Sequence, residues 1–236
     1  MTYLKLIMGA ASALVLSACA SAPVTEPAPE TLVETPAAEP AIKVDVHKGD
    51  FVEIQQFVTP GGVSVWLVSE PSIPIVSVEM AWKGGETSDP EGLEGLSDAV
   101  VYNMNEGAGD LDSLGFQTRM EELNMSFGCG ADDETTYCSA NMLTENAAEA
   151  MDLIAMALNE PRFDAEPFER FQREQLIGIR TRETDASFLA SRARAQALMP
   201  NHPFSRIKTA DSINALTPEM VAHRKDAIMA GDRLYV

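Results

Sequence analysis

Two spacings of apolar residues divide the chain. Over residues 51–82 apolar and polar positions tend to alternate, and beyond residue 93 helical intervals dominate, interrupted by a hairpin over residues 124–143. Val76, Val78, Met80 and Trp82 alternate with Ser77 and Glu79, which predicts a strand over residues 75–82 with one buried face. Residues 51–58 and 63–68 predict two more strands around the turn Thr59-Pro60-Gly61-Gly62. Leu93, Leu96, Ser97, Val100, Val101 and Met104 then fall on one helical stripe. Residues 112–123 predict a second helix, capped by Asp112 or Ser113. Thr144 caps a third, whose stripe is Ala147, Met151, Ile154, Ala155 and Leu158, and Pro161 ends it. Residues 165 to about 199 predict one long arginine-rich helix, broken by Pro200-Asn201-His202-Pro203-Phe204. Thr217-Pro218-Glu219 opens a last helix, with threonine at the N-cap and proline at the first helical position. Leu234-Tyr235-Val236 begins another strand, and its lack of a following turn or polar tail suggests a truncated chain, with a C-terminal edge strand as the alternative. This order predicts an α+β fold, a largely antiparallel sheet layered with helices.

The N-terminal region has a different character. Lys5 followed by an apolar run over residues 6–16 reads as an export signal, too short to span a bilayer comfortably. Leu16-Ser17-Ala18-Cys19 resembles a bacterial lipobox, making residues 1–18 the signal and Cys19 the lipid attachment point. Ala20, in place of an aspartate, resembles lipoproteins forwarded to the outer membrane. Residues 19–44 read as a tether: Pro23, Pro27, Pro29, Pro36 and Pro40 lie among alanines and glutamates, with too little apolar surface to fold. The domain proper is then residues 45–236, enough for one well-cored unit.

The formal net charge of -19 argues against nucleic acid and against electrostatic binding to anionic lipid, leaving the lipid anchor as the membrane contact. Cysteines are few. Cys129 and Cys138 flank the turn-rich tip Ala131-Asp132-Asp133-Glu134. A two-residue turn at Asp133-Glu134 sets Cys129 opposite Cys138 at a non-hydrogen-bonded position, where Cα atoms lie closest, and an oxidising envelope permits a disulfide there. Two free, half-buried thiols are the alternative.

The first predicted helix carries the most informative positions. Residues 98, 101 and 102 have the i, i+3, i+4 relation that lets three side chains converge on one ion, yet they are Asp98, Val101 and Tyr102. Valine offers a metal no donor atom, and a neutral phenol is a poor ligand beside imidazole or carboxylate. With Gly95-Leu96 before it and Gly107 after it, this segment resembles the signature helix of the pitrilysin (insulinase-type) metallopeptidases, whose active members carry an inverted His-x-x-Glu-His zinc motif. On that resemblance the ligand histidines fall on Asp98 and Tyr102 and the general-base glutamate on Val101. All three are replaced, as in the non-catalytic bacterial branch, which Glu106-Gly107-Ala108-Gly109-Asp110 also resembles.

The resemblance implies no catalytic residue and no metal or other cofactor in this chain. Zinc would reside in a partner, a pitrilysin-type catalytic subunit, with which this chain would enclose unfolded peptide substrate. The family's third zinc ligand is a glutamate of the long helix, and Glu169, Glu174 and Glu183 are the candidates. None of His47, His202 and His223 stands at zinc-ligand spacing from another, and His202 lies in a proline-bounded loop resembling a structural family element. Asp98 and Tyr102 are placed to hydrogen-bond each other across a turn, whereas Glu94 and Asp98 would repel. Gly84-Gly85 and Gly107-Ala108-Gly109 lack the lysine and serine or threonine of a phosphate loop. The expectation is a lipid-anchored, non-catalytic peptidase subunit on the periplasmic side of the outer membrane. The alternative is a zinc metalloendopeptidase active in its own right with unusual ligands, and a third reading is an envelope scaffold.

Overall fold

The computed structural model describes residues 42–49 and 52–236. The export signal, Cys19, the tether as far as residue 41 and Phe51 lie outside the described residues. Among the described residues seven strands form one sheet: β1 (Val44–Lys48), β2 (Glu53–Val58), β3 (Ser64–Val68), β4 (Ile75–Lys83), β5 (Ser126–Ala131), β6 (Thr135–Leu143) and β7 (Leu234–Tyr235). Their order is β1-β2-β3-β7-β4-β6-β5, and only the β3–β7 pairing is parallel. Among the described residues seven α-helices accompany it: α1 (Leu96–Asn103), α2 (Ser113–Glu122), α3 (Ala147–Asn159), α4 (Ala165–Arg182), α5 (Ala186–Leu198), α6 (Ala210–Ala215) and α7 (Pro218–Ile228). The predicted α+β class is the one observed.

The strand alternation selects the face that the helices cover. On β6, Thr136, Cys138, Ala140 and Met142 are buried, and the register sets Cys138 beside Met80 and Thr136 beside Trp82 of β4. Helix α1 lies against this face and is itself buried, with Ala99, Val100 and, just past its end, Met104 fully covered. Phe116 of α2, Ile154 of α3, Phe171 of α4, Ile213 of α6 and Val221 of α7 complete the core. Burying each large apolar side chain contributes about 1.5–3 kcal/mol. Strands β1 to β3 lack this cover: Val44, Val46, Trp66, Leu67 and Val68 are exposed.

Local signals explain most boundaries. The Asp112 carboxylate accepts from the Gly115 amide and caps α2; Thr217 accepts from the Met220 amide and caps α7. The hairpin turns at Asp133-Glu134, with the Asp132 amide donating to the Thr135 carbonyl. Cys129 therefore faces Cys138 with Cα atoms 3.9 Å apart, and the two sulfurs are bonded.

Three elements differ from expectation. β1 occupies what reads as the end of the tether and the linker edge, since Val44 and Val46 alternate with Asp45 and His47 too briefly to stand out. The long helix over residues 165–199 is two helices: Glu183 closes α4, and the Asp185 carboxylate accepts from the Phe188 amide to start α5. Helix α6 starts from a capping box of Thr209 and Ser212, with serine where glutamate or glutamine would announce it.

Candidate functional site

Helix α1 begins from a buried carboxylate. Gly95 has φ 102°, which favours glycine, and a Cβ there would lie 2.7 Å from Ile213 Cδ1. This backbone turns the Gly95 and Ser97 amides toward Asp89, which accepts from both at 3.1 Å and from the Ser97 hydroxyl at 2.6 Å. The Asp89 side chain is completely buried, and Arg224 of α7 lies 3.2 Å from it. Arg224 also donates to Ser88 Oγ and the Gly85 carbonyl. Burial pushes the Asp89 carboxyl up, while the Ser97 donors, Arg224 and the Gly95 amide pull it back. Arg224 itself is lowered by burial, with Asp89 opposing. The result is a charge-assisted N-cap that fixes α1 to α7.

One turn on, Asp98 pairs with Lys208 from the segment before α6. Lys208 also lies 3.8 Å from Glu86. Burial raises the Glu86 carboxyl to about 7, the neighbouring Asp98 carboxylate adds to the rise, and Lys208 opposes it. Glu94, one turn before Asp98, is 3.7 Å from Arg206, so the repulsion expected between these two acids is offset by two separate cations. Val101 points into the core and is 8% exposed.

Tyr102 does not turn to Asp98, as the sequence spacing allows; its hydroxyl accepts from Arg170 Nε of α4 at 3.2 Å. Its ring lies 5.3 Å from that of Phe171. Arg170 is held in turn by Glu106 at 2.6 Å and Glu166 at 3.0 Å. Burial raises the Tyr102 phenol above its ordinary value, Arg170 opposes, and nearby Glu174 adds to the rise. Tyr102 is therefore a neutral phenol at physiological pH. Of the three glutamates considered on the long helix, Glu174 approaches position 102; Glu169 lies near Arg173 at 3.7 Å, and Glu183 caps the end of α4.

These residues do not fit zinc. The Asp98 carboxylate is engaged by an ammonium group, Val101 supplies no donor, and the Tyr102 hydroxyl is neutral and faces a guanidinium. Among the described residues no three His, Cys, Asp or Glu side chains converge as a metal site. His47 lies on β1 and His223 on α7, both exposed, and His202 Nδ1 accepts from the Phe204 amide as a loop cap. The arrangement can lock α1 to α4, α7 and the residue 206–208 segment, and Val101 puts no base at the position where the resemblance sets the glutamate. Sequence reasoning missed Asp89, Arg170, Arg206, Lys208 and Arg224. An aspartate shortly before a helix was the one signal available, and it named none of the distant cations.

Comparison with known proteins follows the same lines. Residues 64–206 match the family described as Insulinase (Peptidase family M16). A Helicobacter pylori protein, the non-peptidase homologue YmxG, is 24% identical over 146 residues, which are 61% of this chain and 34% of that protein. The chain thus spans about a third of the length of this curated relative. A Pseudomonas fluorescens structure described as a peptidase M16 inactive domain superposes with TM-score 0.73 and 22% identity over 77% of this chain and 45% of its own. Pitrilysin gives TM-score 0.68 and 16% identity over 82% of this chain and 22% of its own. A Helicobacter pylori protease gives 0.67 and 12% over 83% and 45%. At these identities the structural likenesses show the fold.

Proposed function

The chain belongs to the insulinase family, peptidase family M16, and from that premise we propose that it is a non-catalytic subunit, lipid-anchored through Cys19 on the periplasmic side of the outer membrane. It pairs with a zinc-bearing catalytic subunit of the same family and helps hold unfolded peptide. One observation carries this reading. The positions that hold two ligands and the base in active relatives form an ion pair, an apolar core contact and a phenol–guanidinium contact. The non-peptidase relative and the inactive-domain neighbour support it. Peptide hydrolysis by a zinc enzyme needs an ion that lowers the pKa of bound water and a carboxylate that takes its proton, and both are replaced here.

The test is metal content and cleavage of a quenched peptide by the whole protein. The unmodified protein should hold no stoichiometric zinc and cleave nothing alone. Each of Asp98→His, Val101→Glu and Tyr102→His should remain inactive singly. Together they should bind zinc, with Glu174, which neighbours position 102, as the carboxylate for the remaining position. Co-purification should recover a second family member that holds zinc. Equimolar zinc with chelator-sensitive cleavage by the unmodified protein would establish the rival, a peptidase active in its own right.

A further inference from the structure

We infer that the cavity of about 470 Å³ between α4, α5 and the residue 203–210 segment binds the apolar C-terminal end of a peptide through its free carboxylate. Its volume falls within the roughly 300–1,000 Å³ of small-ligand sites. Ile179, Phe188, Phe204 and Ile207 supply apolar walls, and Arg182 and Arg192 supply charge. The other two cations lining it are occupied: Arg206 by backbone carbonyls of Thr87 and Asp89, and Lys208 by Asp98. Arg182 and Arg192 carry no ion pair among the described residues. Arg182 instead lies over the Phe188 ring, 5.7 Å from its centre, which presents guanidinium and aromatic surface together. In a chain of net charge -19, two unpaired guanidinium groups against apolar walls match one apolar residue with one carboxylate. Four acids also line the cavity: Glu94 lies 3.7 Å from Arg206 and Glu86 3.8 Å from Lys208, while Asp133 and Glu183 disfavour a second negative charge, so the last residue is apolar and not acidic.

This inference extends the peptide-holding part of the proposed function. Binding is read without metal, partner or cleavage, so a failure here leaves the non-catalytic assignment standing, and the reverse also holds. The experiment is fluorescence anisotropy with the whole protein and a tetrapeptide labelled at its N-terminus and ending in phenylalanine. C-terminal amidation should weaken binding about tenfold or more, as should Arg182→Gln or Arg192→Gln, since each removes a charge-assisted hydrogen bond. A peptide ending in glutamate should bind more weakly than the one ending in phenylalanine. Phe188→Ala should weaken both free-acid peptides, with folding checked by circular dichroism. Arg194→Gln, on α5 but outside the cavity, should leave binding unchanged and so excludes a general charge effect. Equal binding of amidated and free-acid peptides would overturn the inference. So would binding of decanoate without the peptide, which would make the site one for fatty acids.

Discussion

Removing the Asp89 carboxylate is the sharpest perturbation of the α1 anchor. We predict that Asp89→Ala lowers unfolding free energy by about 3 kcal/mol. Breaking one side of a buried ion pair costs about 3–5 kcal/mol because the partner charge stays buried. Here the partner is Arg224, whose side chain is 11% exposed. Arg224 keeps the Ser88 hydroxyl and the Gly85 carbonyl, which places the cost at the low end of that range. The Gly95 and Ser97 amides also lose their acceptor, and a lost N-cap costs about 1 kcal/mol, which overlaps with the first term because all these groups meet at one carboxylate. Asp89→Asn, which keeps an acceptor oxygen but no charge, should cost about half as much. Urea denaturation of the two variants, of Arg224→Met and of the Asp89→Ala/Arg224→Met double variant closes the cycle. The double variant should be less destabilised than the sum of its singles by at least about 1 kcal/mol. A loss below about 1 kcal/mol for Asp89→Ala, or strict additivity, would refute the idea that this pair anchors the helix.

The other predictions concern titration, the hairpin and the anchor. Because the folded Glu86 carboxyl titrates near 7 and its ordinary value is 4.5, the folded chain holds a proton between these pH values that the unfolded chain releases. The Glu86 contribution is therefore favourable at low pH and lost as pH rises through that window. The melting temperature of Glu86→Gln relative to the unmodified protein should rise from pH 4.5 to 7.5, and a pH-independent difference would contradict this. The Cys129–Cys138 bond closes a short loop, sequence separation 9, and its removal by Cys129→Ser with Cys138→Ser should cost about 2 kcal/mol by thermal or urea unfolding. Full alkylation of both thiols in protein purified without reductant would show that the bond does not form. On the proposed lipid anchor, Cys19→Ser should move the protein out of the membrane fraction; a serine variant that still pellets in mature form would remove the lipid from the reading.

Sequence and tertiary structure divided the determination of this protein along the range of the forces involved. The sequence by itself set the elements whose causes are local. The alternation from Val76 to Trp82 fixed the buried face of β4, Asp112 and Thr217 fixed two helix starts, and the two-residue turn at Asp133-Glu134 fixed the register that sets Cys129 against Cys138. It also placed Asp98, Val101 and Tyr102 one turn apart on α1, because helical periodicity follows from residue number alone. The break between α4 and α5 was harder to read, since Glu183-Thr184-Asp185 contains neither glycine nor proline and only the Asp185 cap marks it. What those three positions do was decided in three dimensions. Lys208 reaches Asp98 across 110 residues, Arg170 reaches Tyr102 across 68, and Arg224 lies 135 residues beyond Asp89. Likewise β7 enters between β3 and β4, far from either in the chain. Charges and strand edges carry no periodic signature that names their partners; burial removes water as the competing partner, and only the packed fold brings the matching group into its place.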